Sequence, residues 1–251
     1  MELNRRICII TGAGSGIGKA TAIALASQGA TVHLVGRTLS KLEDVKEIIA
    51  KTNGHSLCHS VNISDEIAVN RMVDSIVSTY RKIDLLINNA GHSSPHRRLL
   101  TTTHEEIQTV INSNLIGTIN CTKAVVPHMV SMKEGTIINV SSTAGIVPSP
   151  LAGMIYSAVK AAIINFTGFL NKDLENTGIR SSVIIPGEVD TPILDNRPTP
   201  PSRDARDTMV TAEDTAAAIL MIVKLPQRAI IPELQIRPTY VRDLSAEIEG
   251  A

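Results

Sequence analysis

Tyr156 and Lys160 stand four positions apart in Tyr156-Ser157-Ala158-Val159-Lys160. On a helix, residues i and i+4 share a face, so the phenol and the ammonium can meet. A free phenol titrates near pH ~10 and is a poor proton donor or acceptor at neutral pH. A cation close by favours the phenolate and lowers that pKa. Such a pair exchanges a proton near physiological pH, as acid–base catalysis requires. Tyrosine and lysine also meet at this spacing on solvated helix faces, so the pair draws its meaning from its company. Upstream lie Thr11-Gly12-Ala13-Gly14-Ser15-Gly16-Ile17-Gly18, then Asn88-Asn89-Ala90-Gly91, then Ser141-Ser142.

Gly12, Gly16 and Gly18 close an apolar run and open a helical pattern. In that setting a glycine-rich turn means dinucleotide binding. Glycine lets the backbone approach a pyrophosphate, and a helix N-terminus offers free N–H groups and a positive dipole end. The spacing is Gly-x3-Gly-x-Gly rather than Gly-x-Gly-x-x-Gly, with Gly14 adding freedom inside the turn. An acid about 20 residues further on would accept the ribose hydroxyls of NAD, whereas an arginine would take the 2′-phosphate of NADP. The next apolar run ends Leu34-Val35-Gly36-Arg37-Thr38, and the first acid after it is Glu43. Arg37 therefore points to NADP(H), with a solvated loop arginine as the alternative.

With these motifs in this order, residues 6–238 resemble the short-chain dehydrogenases/reductases. The resemblance implies a carbonyl and a secondary alcohol interconverted by hydride transfer, with NADP(H) preferred and NAD(H) as the alternative. Tyr156 would be the acid or base, and Ser142 would hydrogen-bond the substrate oxygen. Lys160 would lower the Tyr156 pKa and hold the nicotinamide ribose. Asn114, in Asn114-Leu115-Ile116-Gly117, would hold a water that joins Lys160 to solvent. Ser15, Ile17 and the three glycines would take the pyrophosphate. Asn62 and Ile63 would flank the adenine, although many members carry Asp where Asn62 stands. The segment Asn88-Asn89-Ala90-Gly91 would steady the central sheet and pass the cofactor through Asn89, Ala90 and Gly91, with turn residues as the alternative for its asparagines. Pro186, Gly187 and Val189 would lie beside the nicotinamide, and Thr191 would bind its carboxamide. Ser141 adjoins Ser142, and the family pattern favours the second serine. The stretch from Ser142 to Tyr156 is one residue longer than in many members, so a reshaped loop is expected.

The elements that must hold these groups follow from periodicity. Strands are expected over 6–11, 31–35, 54–61, 83–87, 136–140 and 180–185, and helices over 17–29, 39–51, 65–80, 103–132 and 156–175. Alternating strands and helices without a linker imply an α/β fold, a doubly wound parallel sheet of Rossmann-like type in one domain, 1–251. Arg197-Pro198-Thr199-Pro200-Pro201-Ser202 breaks the pattern and reads as loop. The substrate pocket is expected from 93–100, 148–154 and 191–209, with a substrate loop over 191–210. The resemblance implies that helices over 103–123 and 156–175 pair between subunits. A homotetramer is then expected, with a dimer as the alternative. Ala161, Ile164, Phe166, Phe169 and Leu170 spread apolar surface around the second of these.

Composition narrows the class. The chain has 251 residues with 24 basic and 24 acidic side chains, so no global charge favours nucleic acid or an anionic membrane. Three cysteines make a disulfide framework unexpected and fit a cytoplasmic protein. The start of the chain lacks a leader pattern, and no segment reaches the ~20 apolar residues of a membrane helix. Two Phe, three Tyr and no Trp demand an aliphatic core. His55, Cys58 and His59 are close in sequence, but a strand puts Cys58 and His59 on opposite faces, and no metal site is expected. His92, His96, Arg97, Arg98, Arg203 and Arg206 either border the mouth of the pocket and favour an anionic substrate, or are solvated loop charges. A small-molecule substrate is the expected partner. The rival readings are a non-catalytic nucleotide-binding or scaffold protein on the same fold, and an epimerase or dehydratase.

Overall fold

The computed structural model describes residues 2–249. Among them, seven strands form one sheet: β1 Ile7–Thr11, β2 Thr31–Gly36, β3 His55–Ser60, β4 Leu85–Asn88, β5 Gly135–Val140, β6 Ile179–Pro186 and β7 Glu233–Ile236. Their order is β3-β2-β1-β4-β5-β6-β7, and every neighbouring pair is parallel. Parallel neighbours need crossover connections. Helices supply them: α1 Gly16–Ala26, α2 Leu39–Ala50, α3 Glu66–Tyr80, α4 His104–Ile111, α5 Gly117–Met132, α6 Met154–Asp173, α7 Arg203–Arg206, α8 Ala212–Lys224 and α9 Ser245–Glu249. This is the Rossmann-like α/β architecture. The sequence reading stops at the sixth strand; α8 and β7 complete the sheet beyond it, and 197–202 is irregular as expected.

Side chains of a strand alternate between faces, and the core divides accordingly. Cys8 and Ile10, Val32 and Leu34, and Leu85 and Ile87 pack with Leu25, Leu42 and Ile219 on one face. Ile7, Ile9 and Leu86 pack with Val73, Ile76, Val125 and Met129 on the other. The buried hydrophobic residues are aliphatic, Cys or Met, as a chain so poor in aromatics requires. Polar ties cross this core. Asn88 Nδ2 donates to Asn139 Oδ1 at 2.9 Å, and Asn139 Nδ2 donates to Thr167 Oγ1 at 2.9 Å. These bonds pin β4 to β5 and β5 to α6, the steadying role expected of the Asn-Asn segment. Asp84, buried, accepts from the Ile7 amide and from Arg6, both at 2.7 Å, and fixes the lower ends of β1 and β4.

Two local features set the upper end of the sheet. α4 starts at a capping box in which Thr103 and Glu106 each satisfy the other's backbone N–H. It runs into α5 through a π turn, Asn112–Ile116, a form concentrated at functional sites. The wider turn buries Asn114, and Gly117 gives room to Ile63, whose Cδ1 would lie 2.4 Å from an added Cβ.

The turn from β1 to α1 is the second. Gly12 has φ +66°, and a Cβ there would lie 2.8 Å from Ala90 Cα. A Cβ on Gly18 would lie 2.3 Å from the Gly12 oxygen and 2.5 Å from Asn89 Nδ2. The turns after β1 and β4 touch at these points, and Asn89 Nδ2 donates to the oxygens of Thr11 and Gly12. Gly18→Ala should therefore destabilise the protein by about 1–3 kcal/mol, the usual cost of overpacking. Urea unfolding measures this directly. A midpoint equal to that of the unaltered protein would show that the turns yield freely.

Candidate active site

The carboxyl ends of β1, β4, β5 and β6 meet around a cavity of about 400 Å³. Tyr156, in the first turn of α6, and Ser142, just past β5, both line it. The Ser142 side chain stands near the phenol and favours its charged form. Ser141 is excluded from that role, because its hydroxyl is buried and donates to the Lys160 carbonyl at 2.7 Å. Ser142 also accepts from the Ala144 amide at 3.2 Å, so it caps its turn as well as facing Tyr156.

Lys160 is 4% exposed, and its Nζ donates to the Val140 oxygen at 2.9 Å. It stands 5.4 Å from the centre of the Tyr156 ring. Burial brings its pKa down to about 8. Burial also pushes the Tyr156 phenol up to about 12, against the opposing pull of the Ser142 side chain and of Arg97 and Arg197. Lys160 shares a face with Tyr156; its ammonium donates to a backbone carbonyl, and two arginines from distant loops bear on the phenol.

Behind them lies Asn114. Its Nδ2 donates to the His92 oxygen at 2.9 Å and the Val110 oxygen at 3.0 Å, while its buried Oδ1 accepts no hydrogen bond. A Cβ on Gly91 would sit 2.3 Å from that Oδ1 and 3.5 Å from Lys160 Nζ. Gly91 thus leaves a gap between an unused acceptor and an ammonium.

The other end of the cavity is backbone. Ser15, Gly16 and Ile17 line it at the start of α1. The Ser15 side chain makes no cap bond and the first turn holds no acid, so the helix presents uncapped N–H groups. Gly12, Asn89, Ala90, Gly91, Pro186, Gly187, Val189 and Thr191 complete this side. Gly16 has φ +50°, and a Cβ there would approach Thr191 Cγ2 to 3.1 Å. Gly18 packs beneath the turn against Gly12 rather than lining the cavity. Arg37 and Asn62 lie outside the cavity and are exposed, at the ends of β2 and β3. The Ile63 side chain is buried against Gly117, so it is a packing residue here.

The expected pocket segments contribute Ser93, Arg97, Ser149, Leu151, Ala152 and 191–194, together with Arg197. Ser93 Oγ donates to the Ala152 oxygen at 3.0 Å and Gly153 has φ +96°, which shapes the longer loop before Tyr156. The polar cluster singled out in the sequence divides. His96 pairs with Glu106, Arg203 with Asp207, and Arg206 with Asp190 and Asp195. Arg98 reaches the Ile248 oxygen, His92 meets Ser113, and only Arg97 of the six lines the cavity. Arg237 and Leu244 line it too and escaped the sequence reading. Arg242 and Arg197 each pair with both Glu188 and Glu247, which straps the last segment to the loop after β6. His59 meets His33 of β2 at 2.8 Å, a pairing across strands that spacing cannot show. Among the described residues no group of three His, Cys, Asp or Glu is placed to hold a metal, and no helix is long and apolar enough to cross a membrane.

Comparison with known proteins agrees with this architecture. Residues 6–201 match the family described as short chain dehydrogenase. A 3-oxoacyl-(acyl-carrier-protein) reductase of Thermotoga maritima is 35% identical over 211 residues, covering 84% of this chain and 83% of its own. The closed form of a serine dehydrogenase complexed with NADP+ superposes with TM-score 0.85 at 29% identity, over 92% of this chain and 94% of that one. A short chain dehydrogenase/reductase from Burkholderia phymatum in complex with NAD gives TM-score 0.83 at 25% identity, over 93% of this chain and 90% of that one. With the glycine turn, the Asn-Asn-Ala-Gly and the Tyr156–Lys160 pair set around one cavity, the chain belongs to the short-chain dehydrogenase family of oxidoreductases.

Proposed function

We propose that this protein interconverts a carbonyl and a secondary alcohol, using a nicotinamide dinucleotide with a preference for NADP(H). One observation carries the reading: Tyr156 and Ser142 line together the cavity whose other end is a glycine turn and an uncapped helix N-terminus. The residues present fit a dinucleotide. Gly12 and Gly16 hold backbone conformations that side chains rarely adopt, and the first-turn amides of α1 suit a pyrophosphate. Pro186, Gly187, Val189 and Thr191 would take the nicotinamide end, and Lys160 the adjoining ribose. Exposed Arg37, with no acid beside it in Gly36-Arg37-Thr38, would take the 2′-phosphate.

The nicotinamide would supply the hydride to the carbonyl carbon, or take it back. As the carbon–oxygen π pair moves onto oxygen, Ser142 and Tyr156 donate hydrogen bonds to it, and Tyr156 Oη gives up its proton to make the alcohol. Burial keeps the phenol protonated in the free protein, which readies it as an acid. Lys160 and Asn114 then return a proton to the phenolate. The unused Asn114 Oδ1 beside Lys160 is the acceptor such a route needs. Cys8, Cys58 and Cys121 are unpaired, in keeping with a cytoplasmic enzyme.

Tyr156→Phe keeps the ring and removes the exchanging proton, so kcat should fall ~10²–10⁴-fold with cofactor affinity nearly unchanged. A Phe variant that kept more than about a tenth of kcat would remove Tyr156 from the acid–base role. A non-catalytic nucleotide-binding protein would instead bind cofactor and turn over no member of a carbonyl panel.

Arg37→Asp should shift preference from NADP(H) to NAD(H), because a carboxylate repels the 2′-phosphate and the guanidinium's grip is lost. Equal kcat/KM for the two cofactors in the unaltered enzyme would sink the preference.

We also propose a homo-oligomer, a tetramer in which copies pair through α4 with α5, over 103–123, and through α6. Phe169 on α6 is 59% exposed and Met132 at the end of α5 is 53% exposed, more apolar surface than a helix covering a sheet needs to leave open. Light scattering at micromolar concentration should give four times the chain mass. A monomer would refute the assembly, and a stable dimer would refute the tetramer alone.

A further inference from the structure

We propose that the substrate carries a carboxylate and that Arg97 grips it beside Tyr156. The proposal rests on the carbonyl–alcohol reading and narrows it to small hydroxy and oxo acids.

Arg97 is 4% exposed and lines the cavity. A guanidinium carries five N–H donors and stays charged. Its Nε donates to the Ser94 oxygen at 3.2 Å, one terminal nitrogen to the Leu151 oxygen, and the other to the Asn196 oxygen at 3.3 Å. All three acceptors are neutral carbonyls, and one N–H is left on each terminal nitrogen. Among the described residues no carboxylate pairs with Arg97. A buried charge is costly unless it is paired.

Arg180 shows how the same burial looks when it is purely structural. It is also 4% exposed, but it lies away from the cavity. It donates to Thr136 and to five carbonyls gathered at the end of α8, including those of Ile222, Val223 and Leu225. The negative end of a helix dipole serves as its counter-charge. Arg197, the neighbour of Arg97 in the cavity wall, is already shared between Glu188 and Glu247. Arg97 has no acid, and the helix end it touches is only that of the short turn Pro192–Asn196.

The cavity is where its missing partner would enter. Its lining holds four cations, Arg97, Lys160, Arg197 and Arg237, and one acid, Glu188. Arg97 and Tyr156 line the same cavity, and the charge of Arg97 favours the phenolate. A planar carboxylate accepts two N–H bonds from one guanidinium. The lining also includes Gly12, Ser15 and Gly16 at the cofactor end, so only part of the 400 Å³ is open to a substrate. That favours a short acid with its carbinol carbon one or two bonds from the carboxylate.

The test compares acids with their own esters. Purified enzyme and NADP+ are given 2-hydroxybutyrate, 3-hydroxybutyrate, the methyl ester of each, and a set of neutral secondary alcohols. At least one acid should exceed its ester in kcat/KM by ~10²-fold or more, as sites built for a polar group reject analogues that lack it. Arg97→Gln should cut that acid-over-ester ratio by about tenfold or more, mainly through KM, because the charge and the two-pronged grip both go. Esters or neutral alcohols that match or outpace the acids would overturn the carboxylate while leaving the carbonyl–alcohol reading in place. An Arg97→Gln variant that loses acid and ester activity in equal proportion would also overturn it, by showing that Arg97 only ties Leu151 to Asn196. Should circular dichroism show that variant unfolded, the ratio in the unaltered enzyme decides alone. No turnover of any compound in either direction would instead remove the carbonyl–alcohol reading on which the inference stands.

Discussion

The contact between the turns that follow β1 and β4 governs this molecule. The order of strands reverses at β1, which has β2 on one side and β4 on the other. In an open parallel sheet, that reversal sends the connecting chain away on both sides and leaves a crevice above the strand ends. Here the crevice floor is sealed by Asn89 bonded to the Thr11 and Gly12 carbonyls, with Thr11 Oγ1 accepting from the amides of Asn89 and Ala90 at 3.0 Å. Those bonds require that no Cβ intervene. Gly12 and Gly18 are therefore fixed by the protein's own turns, and Gly16 by the approach of Thr191, whatever room they also leave for a ligand.

On that floor, burial decides the protonation states. Taking a phenol and an ammonium out of water favours the neutral form of each. The Tyr156 phenol rises to about 12 while Lys160 falls to about 8, so each is drawn toward its own neutral form. The fixed positive charge near the phenol comes from Arg97 and Arg197, carried on loops that follow β4 and β6. Loops that line one end of the cavity therefore also bear on the Tyr156 phenol.

Much of this was legible in the chain. Six strands and the helices between them follow from periodicity, and the glycine turn, Ser142, Tyr156 and Lys160 converge on one cavity as their motifs imply. What sequence could not give depends on which distant segments meet. The choice between Ser141 and Ser142 needed the hydrogen bond from Ser141 to the Lys160 carbonyl. The separation of Arg97 from its neighbours Arg98 and His96 needed their partners, Ile248 and Glu106. The helix α8 did leave a signal, a capping box from Thr211 to Asp214. The strand β7 left little, since it has only four residues and its outer positions are exposed.

The span of these partnerships bears on how the protein reaches its structure. Asn89 and Thr11 are 78 residues apart, Arg97 and Asn196 are 99 apart, and Arg98 and Ile248 are 150 apart. At equilibrium a longer loop costs little more than a shorter one, about 0.6 kcal/mol for each doubling. In time the cost is large, because folding slows as contacting residues grow more distant along the chain. The glycine turn can form once β1 and β4 have paired, whereas the wall that holds Arg97 waits for the loop after β6, and its strap waits for the final segment. The turn that opens α1 therefore rests on shorter-range partnerships than the wall and strap that close the far end of the cavity.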